Sequence, residues 1–292
     1  MNKVLTTILL FFSALAFAQD DDGDNSEKAT AERALSRNGV TAHRGYSGLY
    51  VENTMPAFEA ALVLDIDWLE CDIFLSADGR IVVTHDLSTA RLTGVHASIK
   101  DLTFAEIATL DTAVDFRREH QTDETITPPQ RMPLLSDVIA LVMKQDRTRL
   151  SIQLKDEATA SAIALIREMG AEKWVGFNDG NLKKMSLVKK LAPEIPVFWD
   201  RVNVENADQD LQIAIDRGFE ALVYNQRLIT PEAIAKVQNA GLKFGVWTVN
   251  DPEKMEEFIA LGVDRLYTNY PEQALELFAQ YQRVLPNERK TE

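Results

Sequence analysis

Short apolar or alternating runs recur along this 292-residue chain at 40–43, 68–74, 150–154, 174–177, 195–199, 219–224, 242–249 and 263–268. Their length, and the turn-forming residues around them, predict eight strands. Between most of them lie longer stretches with helical spacing, among them 54–64, 134–144, 158–169, 231–240 and 252–261. Thr230-Pro231 and Asp251-Pro252 read as an N-cap followed by a first-turn proline, and Gly170, Gly218, Gly241 and Gly262 stand where helices should end. Eight strand and helix alternations predict parallel strands joined by crossovers, closing into a TIM (β/α)8 barrel. An open doubly wound sheet is the alternative.

One strand continues differently. The run 68–75 is followed by Ser76-Ala77-Asp78-Gly79 and then 80–86, which predicts a hairpin turning at Asp78-Gly79. A two-residue loop would pair Asp72 with His85, and a four-residue loop would pair Glu70 with His85; a three-residue loop would break this parity. The looser stretch 87–131 reads as a small insertion after the second strand, over one end of the barrel.

Composition adds boundaries. With 46% hydrophobic and 26% charged residues the chain is globular, and 45 acidic against 31 basic residues give a net charge of −14. Such a surface repels phosphate backbones, so no nucleic-acid partner is expected. Residues 1–18 read as a signal peptide, with Lys3, the apolar run 4–17 and Ala16-Phe17-Ala18; its apolar run is too short for a membrane span. The expected organisation is then a polar, acidic leader at 19–36, a barrel at 37–283 and a tail at 284–292. Cys71, the single cysteine, rules out an intrachain disulfide, and export without disulfides suggests a bacterial periplasm.

Alternation places Glu70 and Asp72 on one strand face and Leu69, Cys71 and Ile73 on the other. Two adjacent interior carboxylates need compensation, and a hard divalent cation with oxygen ligands, Ca2+ or Mg2+, would supply it. A solvated edge strand would show the same pattern. On the next barrel strand Gln153 could offer an amide oxygen to that cation, and Lys155 could meet an anionic substrate. His43-Arg44-Gly45 ends the first strand: the histidine can exchange a proton near neutrality, and the arginine can clamp a phosphate in bidentate fashion. Glu52-Asn53-Thr54 follows, where Asn53-Thr54 also reads as an ordinary helix cap.

The order His-Arg-Gly, Glu-Asn-Thr, Glu-x-Asp, His-Asp resembles the glycerophosphodiester phosphodiesterase family. The resemblance extends from Val40 to Pro271 and takes in Met132-Pro133-Leu134-Leu135, the segment Gly245 to Asp251, and Gly262 to Pro271. It implies a TIM barrel in which Glu70 and Asp72 bind Ca2+ or Mg2+, His43 and His85 form the acid/base pair, and Arg44 and Lys155 hold phosphate. It further implies that Glu52 and Asn53 position catalytic or substrate groups, that Trp247 lines the pocket, and that the insertion is the family's small cap. The implied reaction is metal-dependent hydrolysis of a small glycerophosphodiester to glycerol 3-phosphate and an alcohol.

Three positions depart from the family pattern: Val51 for a proline, Asn269 for a frequent aspartate, and Gln153 for the usual third carboxylate. The last should weaken or shift metal binding, so Gln153→Glu is expected to tighten it. The alternatives are a lysophospholipase D-like enzyme, for which Val95, Leu102, Phe104 and Ile107 could form an apolar flap, and a phosphodiester-binding module that has lost turnover.

Overall fold

The computed structural model describes residues 38–227 and 229–288. The expected signal segment and leader lie outside the described residues, as do the last four residues of the expected tail. The strands are β1 (Val40–Ala42), β2 (Trp68–Leu75), β3 (Ile81–Val83), β4 (Arg149–Leu154), β5 (Val175–Asp179), β6 (Val197–Arg201), β7 (Ala221–Asn225), β8 (Lys243–Trp247) and β9 (Arg265–Thr268). The helices are α1 (Met55–Leu62), α2 (Ala90–Thr93), α3 (Phe104–Ile107), α4 (Val114–His120), α5 (Leu135–Val142), α6 (Thr159–Glu168), α7 (Leu182–Leu191), α8 (Ala207–Arg217), α9 (Pro231–Asn239), α10 (Pro252–Ala260) and α11 (Pro271–Glu288). The last helix runs five residues into the predicted tail. Among the described residues no helix is long and apolar enough to cross a membrane.

All eight predicted strands form, and they pair in parallel around a closed ring, β1 meeting both β2 and β9. This is a TIM barrel, with β3 added antiparallel to β2. Alternation divides each strand between two environments. Leu69, Cys71 and Ile73 of β2 and Leu150, Ile152 and Leu154 of β4 are buried in the apolar layer beneath the helices. The opposite residues fill the barrel, where Trp68, Phe198, Ala221, Val223 and Tyr267 form a separate cluster. Near the N-terminal ends of the strands, the Arg265 guanidinium stacks 3.6 Å from the Phe198 ring centroid and 4.6 Å from that of Trp68, closing the floor with cation–π contacts. Gly176 makes room for this packing, since a Cβ there would lie 2.8 Å from the Phe198 ring.

The helix signals behave as read. Asp251 accepts from the backbone N–H groups of Glu253 and Lys254, and Thr230 from that of Ala233, each before a proline in the first turn. Thr54 departs from the cap expectation: its hydroxyl donates to Val51 O at 2.6 Å and makes no capping bond.

The hairpin register differs from both expected alternatives. Ile73 faces Val83 and Leu75 faces Ile81, leaving Ala77, Asp78 and Gly79 as a three-residue loop. Gly79 at φ 74° supplies the left-handed residue of such a loop, which adds one position to the Asp-Gly turn and shifts the parity. His85 therefore does not pair with Asp72 or Glu70. It stands past the end of β3, after Thr84, whose N–H still reaches Asp72 O at 2.9 Å.

The insertion between β3 and α5 contains α2, α3 and α4. Its core joins Leu92, Ile99 and Ile107 to Phe74 and Val82 of the hairpin, with Leu102 and Phe104 packed against it. Three of the four residues suggested as an apolar flap are thus spent on the cap's own core, and only Val95 is exposed.

Candidate active site

The C-terminal ends of the barrel strands enclose a cavity of about 370 Å3. Of the ten residues singled out in the sequence, His43, Arg44, Glu70, His85, Gln153, Lys155 and Trp247 line it. Glu52, Asn53 and Asp72 stand behind that lining and act on it through hydrogen bonds and charge.

The β1–α1 turn aims Arg44. Arg44 and Asn53 both take left-handed backbone conformations, φ 57° and 55°, and Asn53 N donates to Arg44 O at 3.0 Å. Asparagine adopts this conformation more readily than most residues, whereas arginine does so rarely and needs its surroundings to hold it. Here Asn53 is locked to β2 twice, its Nδ2 donating to Asp72 Oδ2 at 2.9 Å and its Oδ1 accepting from Asp72 N at 3.2 Å. Gly45 lets α1 approach, because a Cβ there would meet Ala57 at 2.8 Å. The guanidinium ends 3.3 Å from Asp72 Oδ2 and 3.1 Å from Glu52 Oε1.

The two acids on β2 differ. Burial would raise the Asp72 carboxyl, but the charges of Lys155 and Arg44 outweigh it and hold the group at about 2. Lys155 Nζ lies 3.1 Å from Asp72 Oδ1, an atom with no hydrogen-bond donor otherwise. Glu70 accepts the Arg44 backbone N–H at 2.9 Å, and no side-chain cation of the described residues lies within 4.0 Å; burial, then the Asp72 charge, pushes its carboxyl well up. Lys155 also donates to Gln153 Oε1. Two carboxylates and an amide oxygen thus face one interior, where Asp72 and the Gln153 oxygen already hold an ammonium group. Among the described residues there is no group of three or more His, Cys, Asp or Glu suited to a metal. The donor set that fits a hard cation is Glu70, Asp72 and the Gln153 oxygen, all oxygen ligands.

The histidines have different partners. His43 Nδ1 lies 2.7 Å from Asn269 Oδ1, an oxygen that only accepts, so Nδ1 carries the proton and Nε2 has no hydrogen bond among the described residues. Burial, then the Arg44 charge, lowers its pKa to about 4. His85 Nδ1 lies 2.7 Å from the Asp86 carboxylate, while burial also lowers its pKa. Asp86 is held in turn by Arg91 of the insertion, which also bonds both oxygens of Glu52, at 2.7 and 3.1 Å. Burial opposes ionisation of Glu52 and Asp86, yet the Arg91 bonds win and keep both carboxyls low.

Sequence reading missed Arg91, Asn178 and Asp200. Asp200 on β6 is 8% exposed and lines the cavity. Burial raises it to about 7 against the hydrogen bonds from Asn178 and Gln153. The signal for Asp200 was available: it follows Phe198 by two and shares its inward face, but the predicted strand stopped at Trp199.

A barrel whose mouth joins Glu70, two histidines, Arg44 and Lys155 holds the groups that hydrolysis of a phosphate ester needs. Residues 43–273 match the sequence profile of the glycerophosphoryl diester phosphodiesterase family, and the chain belongs to that family of phosphodiester hydrolases. A glycerophosphodiester phosphodiesterase from Caldanaerobacter subterraneus subsp. tengcongensis is 31% identical over 245 residues, 82% of this chain and 96% of its own. A solved structure from Silicibacter pomeroyi matches with a TM-score of 0.75 at 25% identity, covering 85% of this chain and 95% of that one. An Oleispira antarctica phosphodiesterase in complex with its product sn-glycerol-3-phosphate matches with a TM-score of 0.72 at 24% identity, covering 85% and 99%. Members of the family generally depend on a divalent metal.

Proposed function

We propose that this chain hydrolyses small glycerophosphodiesters to glycerol 3-phosphate and an alcohol, with His43 and His85 as acid/base pair and Ca2+ or Mg2+ held by Glu70, Asp72 and Gln153. The observation that carries this reading is the single cavity lined by both histidines, Arg44, Lys155, Glu70 and Gln153. The Oleispira product complex, on the same fold, supports it. Export to a bacterial periplasm belongs to the proposal and rests on the pattern of residues 1–18.

A divalent cation at these ligands would neutralise charge developing on the phosphoryl oxygens. Arg44 and Lys155 bind the phosphate, each preset by Asp72. His43, kept neutral by its lowered pKa and with Nδ1 committed to Asn269, takes the proton of the glycerol hydroxyl next to the ester at Nε2. That oxygen bonds to phosphorus, the bond to the alcohol breaks, and His85 gives the departing oxygen its proton. The Asp86 carboxylate favours the charged His85 this step needs, opposing the burial that lowers its pKa. Water then opens the cyclic phosphate with the roles reversed. Trp247 walls the cavity, its indole Nε1 fixed to Val223 O at 3.2 Å.

The test uses glycerophosphocholine and its analogue lacking the hydroxyl next to the ester, followed by 31P NMR. Cleavage of the first alone is expected; equal cleavage of both would overturn the neighbouring-hydroxyl route.

One observation favours a lipid substrate as a second reading. A groove of about 460 Å3, lined by Leu49, Tyr50, Val51, Phe116, Ile126 and Pro128, lies between the β1–α1 turn and the insertion. Preference for a lysophospholipid over glycerophosphocholine, lost in Ile126→Asp, would support it.

A further inference from the structure

Gln153 faces Asp72 across the β2–β4 ladder, so its side chain enters the interior beside the candidate metal ligands. A carboxylate there would present oxygen whichever way it turned. An amide has one oxygen and one NH2, and a hard cation accepts only the oxygen. As a ligand, Gln153 therefore requires a partner that decides which end faces Asp72.

The structure contains that partner. Gln153 Nε2 donates to Asp200 Oδ2 at 3.0 Å, which leaves Oε1 on the side of Lys155 and Asp72. The accepting oxygen is itself pinned, because Asn178 Nδ2 donates to it at 3.2 Å. Asn178 is oriented by Ser151, whose hydroxyl donates to Asn178 Oδ1 at 2.8 Å, so its NH2 end must face Asp200. Ser151, Asn178 and Asp200 are all buried. No Lys, Arg or His among the described residues forms an ion pair with Asp200. A buried carboxylate without a cation is costly, and this one spends its charge on two amide groups.

We infer that Asp200 is a positioning residue that turns the Gln153 oxygen toward the metal site, so that a neutral ligand on β4 and an acid on β6 act as one coupled pair. This rests on the metal reading above. It changes the expectation for Gln153→Glu: the new carboxylate would stand against Asp200 at the 3.0 Å now spanned by the Gln153 bond. A glutamate at 153 suits a neutral donor at 200, and a glutamine at 153 suits an acceptor.

The experiment titrates Ca2+ and Mg2+ by calorimetry into the metal-free full-length mature protein and its variants, with thermal unfolding recorded on each. Asp200→Leu removes the acceptor and should weaken metal affinity about tenfold or more, the usual range for a residue supporting a ligand. Asp200→Asn keeps an acceptor oxygen and should retain more affinity than the leucine variant. Gln153→Glu alone should bind no tighter than wild type, while Gln153→Glu with Asp200→Asn should bind about tenfold tighter than Gln153→Glu alone. Unchanged affinity in Asp200→Leu, or equal affinity of Gln153→Glu with and without Asp200→Asn, would overturn the pairing. Should Gln153→Glu not fold, recovery of folding in the double variant supports the pair and its absence overturns it. Failure of the wild type to bind either ion would sink the metal reading and this inference together, whereas wild-type binding abolished by Glu70→Gln keeps the reading and isolates the pairing.

Discussion

Asn269→Asp changes one amide to a carboxylate at the group that holds His43, and its consequence can be worked from the geometry. The side chain already lies 2.7 Å from His43 Nδ1, so the new charge would sit about 4 Å from the centre of an imidazolium. At an effective dielectric of about 20 that attraction is worth about 4 kcal/mol, or about 3 pKa units, an upper figure. Opposite charges at such range shift pKa values by about 1 to 3 units, so His43 should rise from about 4 to between about 5 and 7. The sign is fixed, since a negative neighbour favours the protonated ring. Histidine-selective NMR titration of the metal-free protein reads this directly: the chain has four histidines, and His43→Gln identifies the signal. Stability gives a second readout. In the wild type the folded pKa lies below the unfolded value of 6.5, so the unfolded chain binds the extra proton and stability falls as pH drops from about 6.5 toward about 4. Asn269→Asp should reduce that acid loss. A His43 signal still titrating near 4 would refute the placement of Asn269 as its electrostatic partner.

Three further outcomes follow from the same geometry. His85→Ala should lose most activity on an alkyl phosphodiester but far less on a p-nitrophenyl ester, whose leaving group needs no proton, whereas His43→Ala should lose both equally; matched losses would contradict the assigned roles. Arg91→Met removes the fork that holds Glu52 and Asp86, and with hydrogen bonds to charged groups worth about 1.5 to 3 kcal/mol, kcat/KM should fall about tenfold or more, with Arg91→Lys a poor rescue. Gly176→Ala places a Cβ 2.8 Å from the Phe198 ring and should destabilise the barrel by about 1 to 3 kcal/mol in chemical denaturation; an unchanged midpoint would contradict the tight packing described for the floor.

The barrel was legible because its strands carry the pattern locally. Leu69, Cys71 and Ile73 against Glu70 and Asp72 already separate the helix-facing side from the interior, and the structure follows that division. His43, Arg44, Glu52 and Asn53 were legible because one short turn carries them. The hairpin register was not, because a single left-handed residue at Gly79 decides loop length and no alternation in the flanking strands records it. Arg91 was invisible for another reason: its partner Glu52 lies 39 residues away, and the insertion that carries Arg91 has no periodicity to fix its position. Asp200 fell between these cases, its inward face readable from Phe198 but its bond to Gln153 spanning 47 residues.

The most direct measurement incubates purified residues 19–292 with glycerophosphoethanolamine or glycerophosphocholine, under Ca2+, Mg2+ or EDTA, and quantifies glycerol 3-phosphate beside a His43→Ala control. Metal-dependent release of glycerol 3-phosphate, lost in the control, is the predicted result. A folded protein that stabilises on binding these diesters yet forms no product with either ion would contradict the account and identify a binding module instead.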